Sequence, residues 1–246
     1  VQPSTYSTSF YDTIAAGSGR SAEIVLPIVF DLVKPKRVLD VGCGTGGWLK
    51  TAEALGATEI AGVDGAWVDR ARLAIPEGAF KTIDFEAPSI DIGTGFDLAI
   101  CLEVLEHLTD EAGRRAVAAM CHAAPAVLCG AAIPGQGGNN HINERWQSYW
   151  AKVFQAHGFD AWDVVRPRVW EHSEVEYWYR QNTILYVHPR AALTRPADAR
   201  TMPLDVAHPV NFAGRTGELV KFRSRYDKTL KRRVGNAIRK LRGKRS

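Results

Sequence analysis

The chain has 246 residues, which is long enough to bury a full hydrophobic core, and we expect one domain with an appendage. Hydrophobic residues make up 46% and charged residues 24%, as is ordinary for a soluble globular protein, and no apolar run reaches the ~20 residues of a membrane-spanning helix. The formal net charge of +4 is unevenly distributed: residues 221–246 contain 12 Lys and Arg and one acid, so the preceding 220 residues carry −7.

The N-terminal segment 1–18 is rich in Ser, Thr, Tyr and Gly. This composition predicts a mobile arm or a lid over a ligand site, with a plain disordered terminus as the alternative. Tyr6, Tyr11 and the segment 19–21 are the parts expected to reach that site. Residues 22–33 then have the apolar spacing of an amphipathic helix.

A glycine-rich turn between a strand and a helix follows. Residues 37–41 have the pattern of a short buried strand, and Gly42, Gly44 and Gly46 let the backbone turn sharply and approach a ligand closely. A helical pattern that includes Trp48 begins near Gly46. A strand, a glycine turn and a helix N-terminus together form a cofactor site in α/β folds.

Predicted strands and helices alternate from here to residue 188, which is the signature of a parallel sheet. The further predicted strands cover 59–63, 80–83, 96–102, 126–129, 159–166 and 183–187. The predicted helices cover 46–55, 110–122 and 145–157. Ligands of an open α/β sheet bind beyond the carboxyl ends of its strands, where Asp40, Asp64, Asp84 and Glu103 all fall.

Four segments carry a family resemblance. Asp40 precedes glycines spaced as G-x-G-x-G-G, Asp64 ends the second strand, Asp84-Phe85 follows the third, and 96–108 contains the fourth strand and its edge. In this order and at this spacing they resemble the class I S-adenosylmethionine (SAM) dependent methyltransferases. The resemblance implies a Rossmann-like fold with a seven-stranded, mostly parallel sheet flanked by helices, the last strand antiparallel.

The same resemblance implies SAM as the cofactor. Asp64 is expected to accept hydrogen bonds from the ribose hydroxyls, and Asp84-Phe85 to hold the adenine amino group. The implied SAM-binding residues are Asp40, Gly42, Gly44, Gly46, Trp48, Asp64, Gly65, Asp84, Phe85 and Leu102.

A candidate metal site lies just beyond the fourth strand. Glu103, Glu106 and His107 are at i, i+3 and i+4, so a helix starting there would present them on one face. With His141 they form an E-x-x-E-H…H pattern that resembles the divalent-metal site of O-methyltransferases acting on small-RNA ends and on ubiquinone precursors. Those enzymes use Mg²⁺-type ions, whereas imidazole suits Mn, Co, Fe or Zn better.

The alternative is that no metal binds and that these side chains order the cofactor pocket. His141 is then the general base that takes the proton from an acceptor hydroxyl. His141 and Glu103 are the predicted catalytic residues under either interpretation.

The acceptor side is expected toward the C-terminus, where the stretch 146–182 holds five of the seven Trp, interleaved with charged and amide side chains. Trp150 and Trp162 are expected to pack in the core instead. The run 134–182 resembles methyltransferases of bacterial polysaccharide and glycoside assembly, and more narrowly the mannoside 1-O-methyltransferases of methylmannose polysaccharide synthesis. This implies methyl transfer to a sugar hydroxyl. The predicted acceptor-binding residues are Arg145, Trp146, Tyr149, Trp170, Tyr179 and Arg180.

The predicted methyltransferase domain covers 19–188, followed by a linker at 189–220 and a basic amphipathic tail at 221–246. The tail is expected to bind an anionic membrane surface or a partner protein, with a solvated tail as the alternative. Four cysteines without C-x-x-C spacing indicate reduced thiols in a cytoplasmic protein.

Three rival functions remain open. An RNA 2′-O-methyltransferase would account for the E-x-x-E-H…H pattern and the basic tail, but the mildly acidic body makes nucleic acid an unlikely partner. A non-catalytic SAM-binding module is the second rival. An NAD-linked dehydrogenase is disfavoured by the glycine spacing.

Overall fold

The computed structural model describes residues 8–197, 199, 203–221 and 223, of which 8–16 are described by their backbone. The chain divides into two compact units, Val1–His208 and Pro209–Ser246. The sheet lies in the first unit, and in the second a helix covers 209–221. The rest of the predicted amphipathic tail lies outside the described residues, except residue 223. Among the helices that are described, none is both long enough and apolar enough to cross a bilayer.

Seven strands form one sheet in the order β3-β2-β1-β4-β5-β7-β6. All neighbouring strands are parallel except β7, which is antiparallel to both β5 and β6. This confirms the predicted seven-stranded, mostly parallel sheet with an antiparallel last strand. The strands are β1 (Arg37–Val41), β2 (Glu59–Asp64), β3 (Phe80–Thr82), β4 (Leu98–Leu102), β5 (Ala126–Gly130), β6 (Asp160–Trp162) and β7 (Ile184–Val187).

Helices cover both faces of the sheet. Alternate residues of a strand point to opposite sides, and in this sheet the residues on both sides are apolar and buried. Leu98 and Ile100 of β4 pack on one side, and Ala99 and Cys101 pack on the other. Each fully buried Leu or Ile contributes about 1.5–3 kcal/mol to stability, so both layers are strongly held. The helices are α1 (Thr8–Val33), α2 (Gly47–Ala54), α3 (Asp110–Ala123), α4 (Gln147–Gln155), α5 (Arg166–Val169) and α6 (Tyr177–Asn182).

The side chains of α1 and α2 belong to the first layer and those of α3 and α4 to the second. Trp150 is 2% exposed and Trp162 is 7% exposed, which confirms that both pack in the core. All four cysteines are buried free thiols.

Two predicted element boundaries are wrong. Helix α1 begins at Thr8 rather than at residue 22, so much of the predicted mobile arm is helical. Tyr6 and the side chain of Tyr11 lie outside the described residues. Strand β6 ends at Trp162 rather than at residue 166, because Arg166 begins α5 with a proline in its first turn.

Part of the predicted linker is hydrogen-bonded to the first unit. Asp205 accepts hydrogen bonds from Ser148 N at 2.7 Å and from Ser148 Oγ at 2.8 Å, and Gln147 Nε2 donates to Val206 O at 3.0 Å. Helix α4 lacks a side-chain cap from its own N-cap residue, so Asp205 satisfies an N–H group of its first turn instead. Residues 203–208 therefore belong to the domain rather than to a linker.

Candidate functional site

The glycine turn joins β1 to α2 at the carboxyl edge of the sheet. Gly42, Gly44 and Gly46 have φ values of 81°, 54° and 88°, in the left-handed region that favours glycine. A Cβ added at Gly42 would lie 2.3 Å from a Val104 methyl carbon, whereas nothing lies within 4 Å of the corresponding position at Gly44. Gly44 therefore borders open space where a ligand can approach the backbone.

Asp64 ties the end of β2 to this turn. Its Oδ2 accepts a hydrogen bond from Gly44 N at 2.7 Å, and its Oδ1 accepts one from Gly65 N at 2.6 Å. Burial raises the pKa of Asp64, while these two backbone N–H groups oppose the shift. Burial and then the nearby Asp64 charge raise the pKa of Asp40 to about 8. Asp40 and Asp64, two of the four acids predicted at strand ends, thus lie close enough at the sheet edge to affect each other's charge.

Trp48 joins α1 and α6 beside the turn. Its Nε1 donates to Ser18 Oγ at 2.8 Å, and that hydroxyl lies 3.1 Å from Tyr179 OH. The Trp48 and Tyr179 rings meet edge to face, with centroids 5.2 Å apart. Burial raises the pKa of Tyr179 to about 12. Ser18, next to the segment 19–21, thus contacts Trp48, and the approach of Tyr6, Tyr11 and the segment 19–21 to a cofactor stays a prediction.

The predicted helix start at Glu103 is wrong. Glu103 has a φ of 57°, and the chain continues into a 3₁₀ turn at Leu105–His107. The Glu103 carboxylate accepts hydrogen bonds from Asn182 Nδ2 on Oε1 and from Gln136 Nε2 on Oε2, both at 2.8 Å. Burial raises the pKa of Glu103, and these two amides oppose the shift.

Three of the four predicted metal ligands nevertheless come together. One ligand atom from each of Glu106, His107 and His141 lies within 4.8 Å of the other two, and Glu103 is not part of this group. Glu106 is fully buried, and within the described part of the chain neither carboxylate oxygen has a well-formed hydrogen bond, with Glu103 and the N–H groups of Glu106 and Ala132 as its polar neighbours. Burial and the nearby Glu103 charge raise the pKa of Glu106 well above its ordinary value.

A buried carboxylate without partners is costly unless it is protonated or meets a cation. Burial, and then His141, lower the pKa of the His107 imidazole, which keeps that ring neutral and able to act as a ligand. The two imidazole rings meet edge to face with centroids 4.8 Å apart. The donor set of Glu106, His107 and His141 therefore fits a divalent ion of the kind that accepts imidazole.

His141 is held by Glu144, a residue that the sequence analysis missed. Glu144 Oε1 lies 3.0 Å from His141 Nδ1 and also accepts a hydrogen bond from Gly137 N at 2.6 Å. Its Oε2 accepts one from Gly135 N at 2.7 Å. The carboxylate thus holds both the imidazole and the glycine-rich loop before it. The H-x-x-E spacing was the available signal.

The other ring nitrogen of His141 faces Gly138. A Cβ added at Gly138 would lie 2.2 Å from His141 Nε2, so the absence of a side chain there leaves room for the ring. With Nδ1–H donated to Glu144, Nε2 is the nitrogen available to a proton or a metal ion.

The predicted acceptor residues fall into three contact clusters, one of which is the Trp48 cluster that contains Tyr179. In the first, Tyr149 OH donates to Asp110, and the guanidinium groups of Arg114 and Arg145 each lie 5.1 Å from the Tyr149 ring centroid. Trp146 is adjacent in sequence and 41% exposed. Arg145 Nη2 also lies 3.4 Å from Asp110 Oδ1, so Tyr149 and Arg145 both contact the first residue of α3.

The second cluster lies at α6. Arg180 Nη1 donates to Trp170 O at 3.3 Å, and His208 Nε2 lies 2.9 Å from the same carbonyl oxygen. Tyr179, the neighbour of Arg180, belongs instead to the Trp48 cluster described above. The predicted acceptor residues thus make three different sets of contacts, and their role in binding an acceptor stays a prediction.

The remaining predicted cofactor residues differ in exposure. Asp84 is exposed, and its Oδ1 accepts a hydrogen bond from Glu86 N at 3.0 Å. Phe85 is 3% exposed and packs in the layer that contains α3 and α4. Leu102 is half-buried at the end of β4.

Comparisons with known proteins agree with this architecture. Residues 17–124 match a family described as "Methyltransferase domain". Within the described residues, the glycine turn and Asp64 lie at the strand ends where such a fold binds its ligand. Residues 17–124 therefore match a methyltransferase domain, and the seven-stranded sheet is that of a Rossmann-like methyltransferase fold.

Curated relatives match over a short stretch. A ubiquinone biosynthesis O-methyltransferase of Stutzerimonas stutzeri (strain A1501) is 37% identical over 83 residues, which is 31% of this chain and 35% of the relative. One of the same description from Idiomarina loihiensis is 40% identical over 82 residues, 30% of this chain and 33% of the relative. The chain thus spans about a third of the length of these relatives.

Solved structures share the fold. Streptomyces venezuelae DesVI has a TM-score of 0.56 at 16% identity, covering 76% of this chain and 100% of that one. The sugar N-methyltransferase KedS8 from Streptoalloteichus sp ATCC 53650 has a TM-score of 0.54 at 18% identity, covering 76% and 97%. The amino pentose methyltransferase CalS10 from Micromonospora echinaspora, solved with SAM bound, has a TM-score of 0.51 at 18% identity, covering 76% and 100%.

Proposed function

We propose that this protein is a SAM-dependent O-methyltransferase whose acceptor is a sugar hydroxyl, in an oligosaccharide or a glycoside. The observation that carries the proposal is the His141–Glu144 pair beside Glu106 and His107. These residues follow β4 and β5, and the glycine turn and Asp64 follow β1 and β2 at the same carboxyl edge. Transfer of a methyl group to an alcohol requires a proton acceptor next to the cofactor, and both would lie at the carboxyl edge of the sheet.

SAM, when bound, supplies a methyl group that is already activated by the sulfonium. The chain's own task is to hold the acceptor oxygen in line with that methyl and to take its proton. His141 Nε2 is the base in this proposal, since Nδ1 is engaged by Glu144. Asp64 accepts hydrogen bonds from the ribose hydroxyls, and the open backbone at Gly44 lies against the methionine half.

A divalent ion is the second part of the proposal. Glu106, His107 and His141 would hold it, and it would lower the pKa of an acceptor hydroxyl as a Lewis acid. Glu106 supports this, because its buried oxygens lack a well-formed hydrogen bond within the described ranges and lie within 4.8 Å of ligand atoms of His107 and His141. Glu144 then orients His141 as a ligand rather than as a base, as carboxylates commonly do behind metal-bound histidines.

The sugar acceptor is supported by the resemblance of residues 134–182 to polysaccharide and glycoside methyltransferases. A mannoside 1-hydroxyl is the narrower form of the proposal. The exposed indole of Trp146 beside Arg145 suits a sugar, which presents an apolar face and a polar rim.

Transfer of labelled methyl from SAM into a panel of glycosides and oligosaccharides, with and without EDTA, tests the proposal. We expect label in a mannoside or a related glycoside, and none with a His141→Ala variant that still binds SAM. Loss of transfer with EDTA, restored by Mn²⁺ or Mg²⁺, would support the metal. Transfer that occurs only with RNA, and disappears after nuclease treatment, would refute the sugar acceptor.

Binding of the demethylated product S-adenosylhomocysteine (SAH) by calorimetry is the prior check. Asp64→Ala should raise the Kd at least 100-fold, because Asp64 both contacts the ribose and holds Gly44. SAH binding with no methyl transfer to any acceptor would indicate a non-catalytic binding module. No SAH binding by the wild type would refute the proposed function altogether.

A further inference from the structure

Arg180 of α6 is a buried arginine that forms no ion pair with any residue that the structure describes. Its exposed fraction is 9%, and its side chain makes one hydrogen bond to these residues, from Nη1 to Trp170 O at 3.3 Å. The buried Nε has no hydrogen-bond partner among them. Arginine is always charged and is rarely buried this far unless it is paired with an anion. The burial of Arg180 therefore indicates an anion that the described residues do not provide.

Arg166 shows how this chain pairs a buried guanidinium with an acid. Its Nε and Nη2 donate to the two carboxylate oxygens of Asp163 at 2.9 and 2.8 Å, and its Nη1 donates to Leu204 O at 2.8 Å. Arg180 resembles Arg166 at Nη1, which also donates to a backbone carbonyl, but its Nε faces no carboxylate of the described residues. Nε and Nη2 point the same way, so together they suit two oxygens of one carboxylate or phosphate.

The carbonyl that holds Arg180 is itself fixed by a second donor. His208 Nε2 lies 2.9 Å from Trp170 O, and the His208 and Trp170 rings meet with centroids 4.6 Å apart. A carbonyl oxygen is a dipole and not a full charge. The contact with Trp170 O therefore orients the guanidinium of Arg180 without neutralising it.

Arg180 lies at the edge of the sheet where the acceptor is proposed to bind. Strand β7 runs antiparallel to β5, so α6, which directly precedes β7, lies at the carboxyl end of β5. Asn182 of the same helix donates to Glu103 Oε1 at 2.8 Å, and His141 lies in the segment that follows β5. Asp64 instead ends β2, on the other side of β1 and β4 in the sheet. Arg180 is thus on the acceptor half of this edge.

We propose that Arg180 binds an anionic group of the acceptor, so that the methylated sugar carries a carboxylate or a phosphate besides the hydroxyl that reacts. The inference rests on the proposed function, because it takes a sugar as the acceptor. Arg180 Nε and Nη2 hold two oxygens of the anionic group, as Arg166 holds Asp163. This contact fixes the sugar away from the reacting hydroxyl and so orients that hydroxyl toward the methyl group.

Thermal melts of the full chain with sodium phosphate or sodium acetate, at constant ionic strength, test the anion site. Phosphate or acetate should raise the Tm of the wild type by about 2 °C, and the larger shift identifies which kind of anion the site prefers. Arg180→Met should abolish the shift, and Arg180→Lys, which keeps the charge without the planar fork, should reduce it. Arg168→Met, which removes an exposed charge from the neighbouring α5, is the matched control and should respond like the wild type.

Without added anion, Arg180→Met should melt at or above the wild-type temperature, because it removes a buried charge that lacks a partner. A purely structural role would lower the Tm instead. No shift of the wild type with either anion, or an undiminished shift in Arg180→Met, would overturn the inference. If Arg180→Met does not fold, the shift of Arg180→Lys decides, and a value equal to that of the wild type would count against the site.

Acceptor kinetics test whether the anion belongs to the sugar. Mannuronate or mannose 6-phosphate should have a lower KM than mannose, and Arg180→Met should raise the KM of the charged sugar about 30-fold while kcat stays within threefold. Equal KM values for charged and neutral sugars would overturn the inference. So would a raised Kd for SAH in Arg180→Met, which would assign Arg180 to the methionine carboxylate of the donor. Absence of transfer to every sugar would instead refute the proposed function, whatever the melts show.

Discussion

Replacing Glu144 by Gln tests whether the carboxylate that holds His141 matters for the chemistry. The native carboxylate accepts hydrogen bonds from Gly135 N, from Gly137 N and from His141 Nδ1. Gln has one acceptor oxygen, so its NH₂ group must face at least one of these donors. Hydrogen bonds to a charged group are worth about 1.5–3 kcal/mol, and all three lose that assistance.

We expect the imidazole to lose its single orientation and kcat to fall about 100-fold, which corresponds to about 2.7 kcal/mol of the activation barrier. The Kd for SAH should change by less than about twofold, since Asp64 and Gly44 belong to the β1 and β2 ends of the sheet. The assay is methyl transfer to whichever glycoside the acceptor panel identifies. Glu174→Gln, at an exposed glutamate, is the matched control and should retain full activity.

A merely structural role for Glu144 would not alter the tautomer of His141. ¹⁵N NMR of the imidazole should show Nδ1 protonated in the wild type and a mixture of tautomers in Glu144→Gln. Glu144→Asp, which keeps the charge on a shorter side chain, should recover part of the lost kcat. If Glu144→Gln kept kcat within threefold and the same tautomer, the idea that this carboxylate positions His141 would be wrong.

Three further predictions concern other buried acids. Glu106→Gln should weaken Mn²⁺ binding by calorimetry at least tenfold without loss of fold, and equal Mn²⁺ affinity would remove Glu106 from the metal site. The pKa of Asp40, raised to about 8, predicts that this group's contribution to the free energy of unfolding is fully present below about pH 4 and falls as the pH rises toward 8, because only the unfolded chain ionises there. Asp40→Asn should flatten that slope in cofactor-free melts, and an unchanged slope would show that another group causes it. Asp163→Ala should cost about 3–5 kcal/mol in urea unfolding, since it leaves the buried Arg166 guanidinium without its 2.8 Å partner, and a loss below 1 kcal/mol would contradict this.

The fold was largely predictable because its signals are local. The spacing of apolar residues along the chain predicts the alternating buried strands and amphipathic helices. The glycine turn is predictable because glycine readily adopts φ values of 54° to 88°, which other residues rarely do. Asp64 was placed correctly for a similar reason, since a carboxylate at the end of a buried strand has its position set by that strand. The short strand β6 was overestimated because Val164 and Val165 are apolar and strand-prone, yet the chain turns into α5 at Arg166.

The contacts of Glu103 could not be predicted from neighbouring residues in the sequence. The i, i+3, i+4 spacing predicted one helical face, but a left-handed residue breaks that geometry, and amides distant in sequence, Gln136 and Asn182, take the carboxylate. Residues 203–208 were likewise predicted to be part of a linker. Their composition does not indicate the hydrogen bonds that Asp205 accepts from Ser148.

The amino-acid sequence by itself determined the order of strands and helices, the cofactor turn and the residue types available for proton or metal chemistry, because each depends on neighbours within a few positions. Only the tertiary structure decided which of those side chains meet. It paired His141 with Glu144, left Glu106 buried without a well-formed hydrogen bond in the described residues, and set the Arg180 guanidinium against Trp170 O. Such contacts depend on loop paths and on where distant segments pack, and spacing along the chain does not encode either.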